Sequence, residues 1–172
     1  MRETVKLGIY LMIVAAVAGV ALALTHHFTA AQIRAGQTAA AKAALEEVLP
    51  GAVEFQPKDD YQQGLDAKRQ LVGYVLQVSA AGYSSQIEAL VGIDPQYRVT
   101  GVKVLVQNET PGLGAKITGP GFLGQFAQKP ADQIKLKKDG GTIDGITAAT
   151  ISSRAITDAI RERIHEFQQN HP

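Results

Sequence analysis

Hydroxyl-bearing residues gather in one short segment near the end of the chain. Residues 144–153 read DGITAATISS and place Thr147, Thr150, Ser152 and Ser153 at the start of a predicted helix. A helix N-terminus offers free amides and the positive end of a dipole, and hydroxyls add donors, so the segment could bind a phosphate. The alternative is that Thr150 only caps the helix. The segment lacks the Gly-x-x-x-x-Gly-Lys-Ser/Thr pattern, so it does not indicate ATP hydrolysis.

A second segment of interest is 109–114, which reads ETPGLG and follows a predicted strand. Pro111 followed by Gly112 fits the central positions of a type II turn. Two nearby glycines, Gly112 and Gly114, would also let the backbone approach a flat ligand closely. From residue types alone, the segment is either a hairpin loop or one wall of a ligand site.

Composition excludes several classes of protein. The 172 residues include no cysteine, which excludes a disulfide scaffold, an iron–sulfur cluster, a thiolate zinc site and a cysteine nucleophile. None of the four histidines lies within residues 28–164, so neither a Ser-His-Asp hydrolase nor a metal site is predicted. A net charge of +1 with 6% aromatic residues does not indicate a nucleic-acid-binding protein.

The N-terminal segment predicts a membrane anchor. Every residue from Leu7 to Leu24 is apolar, glycine or tyrosine. As a helix, this run would span about 27 Å, close to the roughly 30 Å of a hydrocarbon core, so we expect a transmembrane helix over residues 7–25. The alternative is a cleaved signal peptide, with Arg2 and Lys6 as its basic region. The length of the apolar run favours the uncleaved anchor.

Flanking charges predict the orientation of that anchor. Arg2 and Lys6 precede the apolar run, whereas only Arg34 follows it closely. The positive-inside rule therefore places residues 1–6 in the cytoplasm and the rest of the chain outside it. We expect a juxtamembrane helix within residues 26–50, because residues 31–49 are rich in alanine and Pro50 and Gly51 would end a helix. An extracytoplasmic domain is expected over residues 51–172.

The elements of this domain follow from its hydrophobic periods. Apolar residues alternate with others over residues 72–78, 87–93 and 102–106, which predicts a meander of three antiparallel strands. Residues 55–70 are polar and predict a loop, and residues 121–128 predict a short helix. A turn is expected at the paired glycines 140 and 141. A final helix is expected over residues 151–168, because its apolar residues fall on one stripe: Ile156, Ile160, Ile164 and Phe167.

The predicted fold class is therefore α+β: a small antiparallel sheet covered by helices and preceded by one N-terminal transmembrane helix. Both candidate segments lie at ends of these elements. Residues 109–114 follow the third predicted strand, and residues 144–153 lead into the final helix.

The two segments together resemble the FMN-binding domain family. Residues 144–150 are similar to its flavinylation motif Asp-x-x-(Ser/Thr)-Gly-Ala-Thr, and residues 109–114 are similar to its Glu-Thr-Pro-Gly-Leu-Gly loop. The resemblance covers about residues 40–168. The single predicted span and the short length resemble the G subunit of Rnf-type electron transport complexes. The C subunit of sodium-pumping NADH:quinone reductases is similar but usually longer.

The resemblance implies a covalent flavin. FMN would be joined through a phosphoester to Thr150, an attachment point rather than a catalyst of turnover, by a separate flavin transferase that uses FAD. The 109–114 loop would pack beside the ring, and Ser152 and Ser153 would help to bind the phosphate. The implied cofactor contacts are Glu109, Thr110, Pro111, Gly112, Leu113, Gly114, Asp144, Thr147, Ala148, Ala149, Ile151, Ser152 and Ser153.

The resemblance also implies a role. The chain would be an electron-carrying redox subunit of a membrane-bound translocase in the bacterial inner membrane, rather than an enzyme by itself. Its partners would be other membrane subunits, with electron transfer coupled to sodium or proton transport. Two other classes remain open: a stand-alone anchored flavoprotein that reduces an extracytoplasmic reductase, and a non-redox anchored module that binds a phosphate ligand.

One residue departs from the flavinylation motif, because Ala148 stands where the motif has glycine. If that position needs a positive φ, alanine would cost on the order of 1 kcal/mol of backbone strain. Thr147 and Thr150 remain in place, so we expect the modification to survive. The departure would affect the efficiency of attachment rather than its site.

Overall fold

The computed structural model describes residues 6, 8, 10–12, 14–19 and 39–171, which divide into two units between Lys42 and Ala43. In the first unit, all of the described residues are helical. Among the residues described, no helix is both long enough and apolar enough to cross a membrane. Much of the predicted anchor over 7–25, with the flanking tail and the first part of the juxtamembrane helix, lies outside the described residues.

The second unit is built on a five-stranded antiparallel sheet whose strands are neighbours in chain order. The three predicted strands are confirmed, but the predicted loop over 55–70 is wrong because it contains two further strands. Their side chains are mostly polar and half-exposed at the edge of the sheet, so they give no strong two-residue period. The strands are β1 (Glu54–Pro57), β2 (Tyr61–Leu65), β3 (Leu71–Ala81), β4 (Gln86–Ile93) and β5 (Val99–Val106).

One face of the sheet carries the main core. Side chains of β3 and β4 alternate between the two faces, as the period of two requires. Those on the core face are buried beneath the final helix, α3 (Thr150–Asn170), which confirms the helix predicted over 151–168. The apolar stripe of α3 is fully buried, as predicted: Ile156, Ile160, Ile164 and Phe167.

The opposite face is covered by a short helix. Residues 43–48 are helical in the second unit (α1), and Val48 near the turn that follows is fully buried. A Cβ added at Gly92 would lie 2.0 Å from the carbonyl oxygen of Val48, and one at Gly101 would lie 2.9 Å from its Cα. Glycine at these two paired positions therefore lets the backbone of α1 rest directly on the sheet.

Between β5 and α3 the chain runs through short helical turns. The predicted helix over 121–128 appears in shorter form as α2 (Pro120–Leu123), followed by a 3₁₀ turn over Gly124–Phe126. The predicted turn at the paired glycines is confirmed by a φ of 83° at Gly140. This connection begins with residues 109–114 and ends at residues 144–149, so it carries both candidate segments.

Candidate functional site

The two candidate segments meet in a cavity of 430 Å³. They are about 35 residues apart in the sequence, and they meet because α3 begins beside the loop that follows β5. The turn between β3 and β4 completes the wall. The lining residues are Tyr83, Glu109, Thr110, Leu113, Gly114, Ala148, Ala149, Thr150, Ile151 and Ser152.

Five of the predicted contact residues do not line this cavity. Pro111 and Gly112 form the tip of an exposed turn, whose type II geometry is confirmed by a φ of 78° at Gly112 and a 3.2 Å bond from the Leu113 amide to the Thr110 carbonyl. The other three lie on the approach to α3 or inside it: Asp144, Thr147 and Ser153.

Thr150 is the first residue of α3 rather than its cap. The N-cap is Ala149, which has φ −131° and ψ 39° and whose carbonyl accepts the amide of Ser153 at 3.0 Å. The interpretation of Thr150 as a capping side chain is therefore wrong, because its backbone is already helical. Within the described part of the chain, no hydrogen bond engages the half-buried Thr150 hydroxyl, which lies on the cavity wall.

The start of α3 is open to an anion. Its first-turn amides have no side-chain cap, and the first turn holds no acidic residue. Such amides lack partners within the helix and lie at the positive end of its dipole. A phosphate beside Thr150 would therefore meet amide donors and no repelling charge within that turn.

The hydroxyls of both serines in the first turn form hydrogen bonds within the protein. The Ser152 hydroxyl donates to the Glu109 carboxylate at 2.5 Å. The Ser153 hydroxyl donates to the carbonyl of Ala149 at 2.9 Å and accepts the amide of Ile146 at 3.0 Å. Both side chains are buried. Of the hydroxyls in this segment that line the cavity, Thr150 is thus the one whose oxygen is uncommitted in the described structure.

Glu109 is a buried carboxylate, with 4% of its surface exposed. Its Oε1 accepts the amides of Ser84 and Ser85 at 2.9 and 3.0 Å, and its Oε2 accepts the amide of Tyr83 at 3.2 Å as well as the Ser152 hydroxyl. Burial raises the pKa of this carboxyl, but the hydrogen bonds outweigh burial and hold the pKa below its ordinary value. Glu109 is therefore ionised at neutral pH.

Ala148 has the left-handed backbone that the motif glycine would favour, with φ 62°. The neighbouring Ile146 carbonyl accepts the amide of Ala149 at 3.0 Å, and this tight turn leads the chain into α3. For a residue with a Cβ, this conformation costs roughly 1–2 kcal/mol. The backbone strain that the sequence analysis considered for Ala148 is therefore present, two residues before Thr150, the candidate attachment point.

Asp144 lies away from the cavity on the exposed approach to α3. Its carboxylate forms an ion pair with Lys137 at 2.7 Å. Its backbone amide donates a hydrogen bond to Oε1 of Gln125 at 2.7 Å. A second ion pair nearby joins Arg154 to Asp139, and the hydrogen bond from Arg154 lowers the pKa of Asp139. The pair of Arg154 and Asp139 joins the connection to α3, whereas the pair of Asp144 and Lys137 lies within the connection.

Tyr83 is the lining residue that the sequence analysis missed. It lies in the tight turn between β3 and β4 and is 70% exposed. With Leu113 and Ile151, also exposed, it gives the cavity an apolar rim. A lone tyrosine in a polar turn between two predicted strands is a weak signal, which alone would not have identified it. The site thus combines an anion-accepting helix start, a free hydroxyl and an apolar rim suited to a flat ring.

Comparisons with known proteins show which family the chain resembles. The family model for the FMN-binding domain matches residues 82–165. The chain is 38% identical to the G subunit of the ion-translocating oxidoreductase complex of Methanosarcina acetivorans, over 95% of this chain and 94% of that one. It is 32% identical to the G subunit of the Na(+)-translocating ferredoxin:NAD(+) oxidoreductase complex of Acetobacterium woodii, over 95% and 91% of the two chains.

A solved structure shares the fold. The crystal structure of NqrC from Shewanella oneidensis superposes with a TM-score of 0.52 at 20% sequence identity, covering 70% of this chain and 72% of that one. At that identity the likeness concerns the fold alone. The sequence relationships go further: this chain belongs to the FMN-binding domain family, within the group of G subunits of Rnf-type ion-translocating oxidoreductase complexes.

Proposed function

We propose that this chain is the flavin-carrying subunit of a membrane-bound, Rnf-type ion-translocating oxidoreductase complex, with FMN attached covalently to Thr150. The observation that carries the proposal is the Thr150 hydroxyl, which lies on the wall of the cavity between the two motifs and has no hydrogen-bond partner among the described residues. FMN, when bound, supplies one- or two-electron redox chemistry. The protein's contribution is to hold and orient it.

The chain's own groups divide that task. The Thr150 oxygen would form the phosphoester bond as a flavin transferase moves the FMN moiety from FAD, with AMP as the leaving group. The amides at the start of α3 would bind the phosphate oxygens. The apolar rim of Tyr83, Leu113 and Ile151 would pack against the ring and exclude water from it.

The adduct is directly testable. Co-expression of the full-length chain with a flavin transferase should add roughly 440 Da, the mass of FMN less one water, as a phosphoester on threonine. The labelled band should fluoresce after denaturation, and peptide mapping should place the adduct on Thr150. Thr150→Ala should abolish it, whereas the matched Thr147→Ala should retain it. An adduct on Thr147, or labelling that persists in Thr150→Ala, would overturn the assignment.

The same material separates this proposal from its rivals. Flavin colour that survives denaturation excludes a non-redox phosphate-binding module. Co-purification with integral membrane partners favours the complex subunit over a stand-alone anchored flavoprotein. The names of the related G subunits support the complex, because each is named as a subunit of an oxidoreductase complex.

We further propose that the N-terminal segment is a single transmembrane helix with residues 1–6 in the cytoplasm. Support comes from the uncharged run between Leu7 and Leu24 and from the basic flank of Arg2 and Lys6. The flavin would then lie on the far side of the membrane from cytoplasmic donors, so partner subunits would have to supply a transmembrane electron path. A reporter active only outside the cytoplasm, fused after Pro172, should be active. A silent fusion, with an active cytoplasmic reporter at the same site, would reverse the orientation.

A further inference from the structure

A single buried carboxylate joins the three walls of the cavity. Glu109 projects from the loop after β5, accepts the Ser152 hydroxyl from the first turn of α3 at 2.5 Å, and accepts three amides from the β3–β4 turn. The partners lie 24 to 43 residues away in the sequence. Removal of this group would uncouple walls that are otherwise far apart along the chain.

The surrounding backbone is shaped around that carboxylate. A Cβ added at Gly82 would lie 2.4 Å from Glu109 Oε1, and a Cβ added at Gly114 would lie 2.8 Å from Oε2. A side chain at either position would displace the carboxylate. The carboxylate is therefore held in one place by close packing as well as by hydrogen bonds.

We propose that Glu109 is a positioning residue for flavin attachment: through Ser152 it fixes the first turn of α3, and with it the Thr150 hydroxyl, relative to the β3–β4 turn. This inference rests on the proposed attachment of FMN to Thr150. Ser152 lies two residues after Thr150 in the same helical turn, so a shift of that turn displaces both residues. A misplacement of about 1 Å at a reacting oxygen can cost a hundredfold in rate.

The charge of Glu109 is part of this role. Hydrogen bonds to a carboxylate are shorter and about twice as strong as neutral ones. A glutamine at this position would keep the size but would turn an amide donor towards the backbone amides or towards the Ser152 hydroxyl. The coupling should therefore depend on the carboxylate and not only on the volume of the side chain.

The test compares rates of flavin transfer to the purified full-length chain, using flavin transferase and FAD, below the melting temperature of every variant. We expect Glu109→Gln and Ser152→Ala to be about tenfold slower than the unmodified sequence. The matched control is Thr157→Val, which removes another buried hydroxyl of α3, whose one hydrogen bond among the described residues goes to the carbonyl of Ser153 at 2.7 Å. Thr157→Val should transfer within twofold of the unmodified sequence. The double variant of Glu109 and Ser152 should be no slower than Glu109→Gln alone, because both changes break one linkage.

A second measurement needs no flavin. In the unloaded protein, Ser152→Ala should accelerate hydrogen exchange at the amides of residues 83–85, which the carboxylate of Glu109 binds, and Thr157→Val should not. Unchanged exchange together with unchanged transfer rates in Glu109→Gln and Ser152→Ala would overturn the inference. Failure of the unmodified sequence to be labelled on Thr150 would instead overturn the proposed function, and the exchange result would still decide whether the walls are coupled.

Discussion

The two ends of α3 are built in opposite ways. At the C-terminal end, Phe167 is fully buried, stacks on His171 at a ring-centroid distance of 4.4 Å, and lies 5.0 Å from the rings of both Tyr61 and Tyr74. At the N-terminal end, the cap is an alanine with no side-chain hydrogen bond, preceded by the left-handed Ala148. One end is closed by apolar packing, and the other end is open and strained.

The C-terminal end of α3 thus contributes to stability, and the N-terminal end carries the candidate site. Apolar burial at the C-terminal end holds α3 against the sheet, so the N-terminal end can present unpaired amides and a free hydroxyl without loss of the fold. Backbone strain persists only where the surrounding structure enforces it. Here the turn is held by the hydrogen bond from the Ala149 amide to the Ile146 carbonyl and by the Ser153 hydroxyl, which bonds to both residues.

The largest expected effect on stability is at the closed end. Phe167→Ala should lower the free energy of unfolding by about 3–5 kcal/mol, because it removes a fully buried ring from an aromatic cluster. The matched change at the open end, Ile151→Ala, should alter it by about 0.5 kcal/mol or less, since Ile151 is 53% exposed. Urea titration of the full-length chain measures both. Equal losses in the two variants would break the comparison.

A smaller effect, of opposite sign, is expected from relief of strain at the open end. Ala148→Gly should raise the free energy of unfolding by about 1 kcal/mol, because glycine adopts φ 62° without a Cβ clash. Thermal unfolding measures the gain. Gln128→Gly is a matched control with φ 61° at an exposed site away from the cavity, and it should stabilise to a similar degree. A loss of stability in Ala148→Gly would show that the strain is not stored there.

The smallest effect on stability is expected at Asp144. Its pair with Lys137 is exposed, so Asp144→Ala should change the free energy of unfolding by about 0.5 kcal/mol or less. Flavin attachment should nevertheless slow by about tenfold, the effect of losing one hydrogen bond that the transferase donates to the carboxylate.

Lys137→Ala is the control for Asp144, because it breaks the same ion pair but keeps the carboxylate. Normal attachment in Lys137→Ala with slow attachment in Asp144→Ala would assign the effect to the carboxylate itself. Normal attachment and normal melting in Asp144→Ala would instead make it a solvated turn residue. In-gel flavin fluorescence against time distinguishes these results.

The elements with a strong local period were predictable. Strands β3 and β4 and helix α3 carry buried apolar residues at regular spacing, so their side chains reveal which face is covered. The strands β1 and β2 were missed because they are short and their side chains are mostly half-exposed, which leaves little period to detect. The type II turn at Pro111 and Gly112 was predictable because two adjacent residues determine it.

The two motifs, the candidate attachment residue and the family can all be recognised in the amino-acid sequence. Three features become visible only in the fold: Ala149 rather than Thr150 caps α3, Tyr83 joins the rim, and Glu109 is buried between the walls. The physical reason is distance along the chain. The hydrogen bond from Ser152 to Glu109 spans 43 residues, and no local propensity, period or turn preference encodes a contact of that separation.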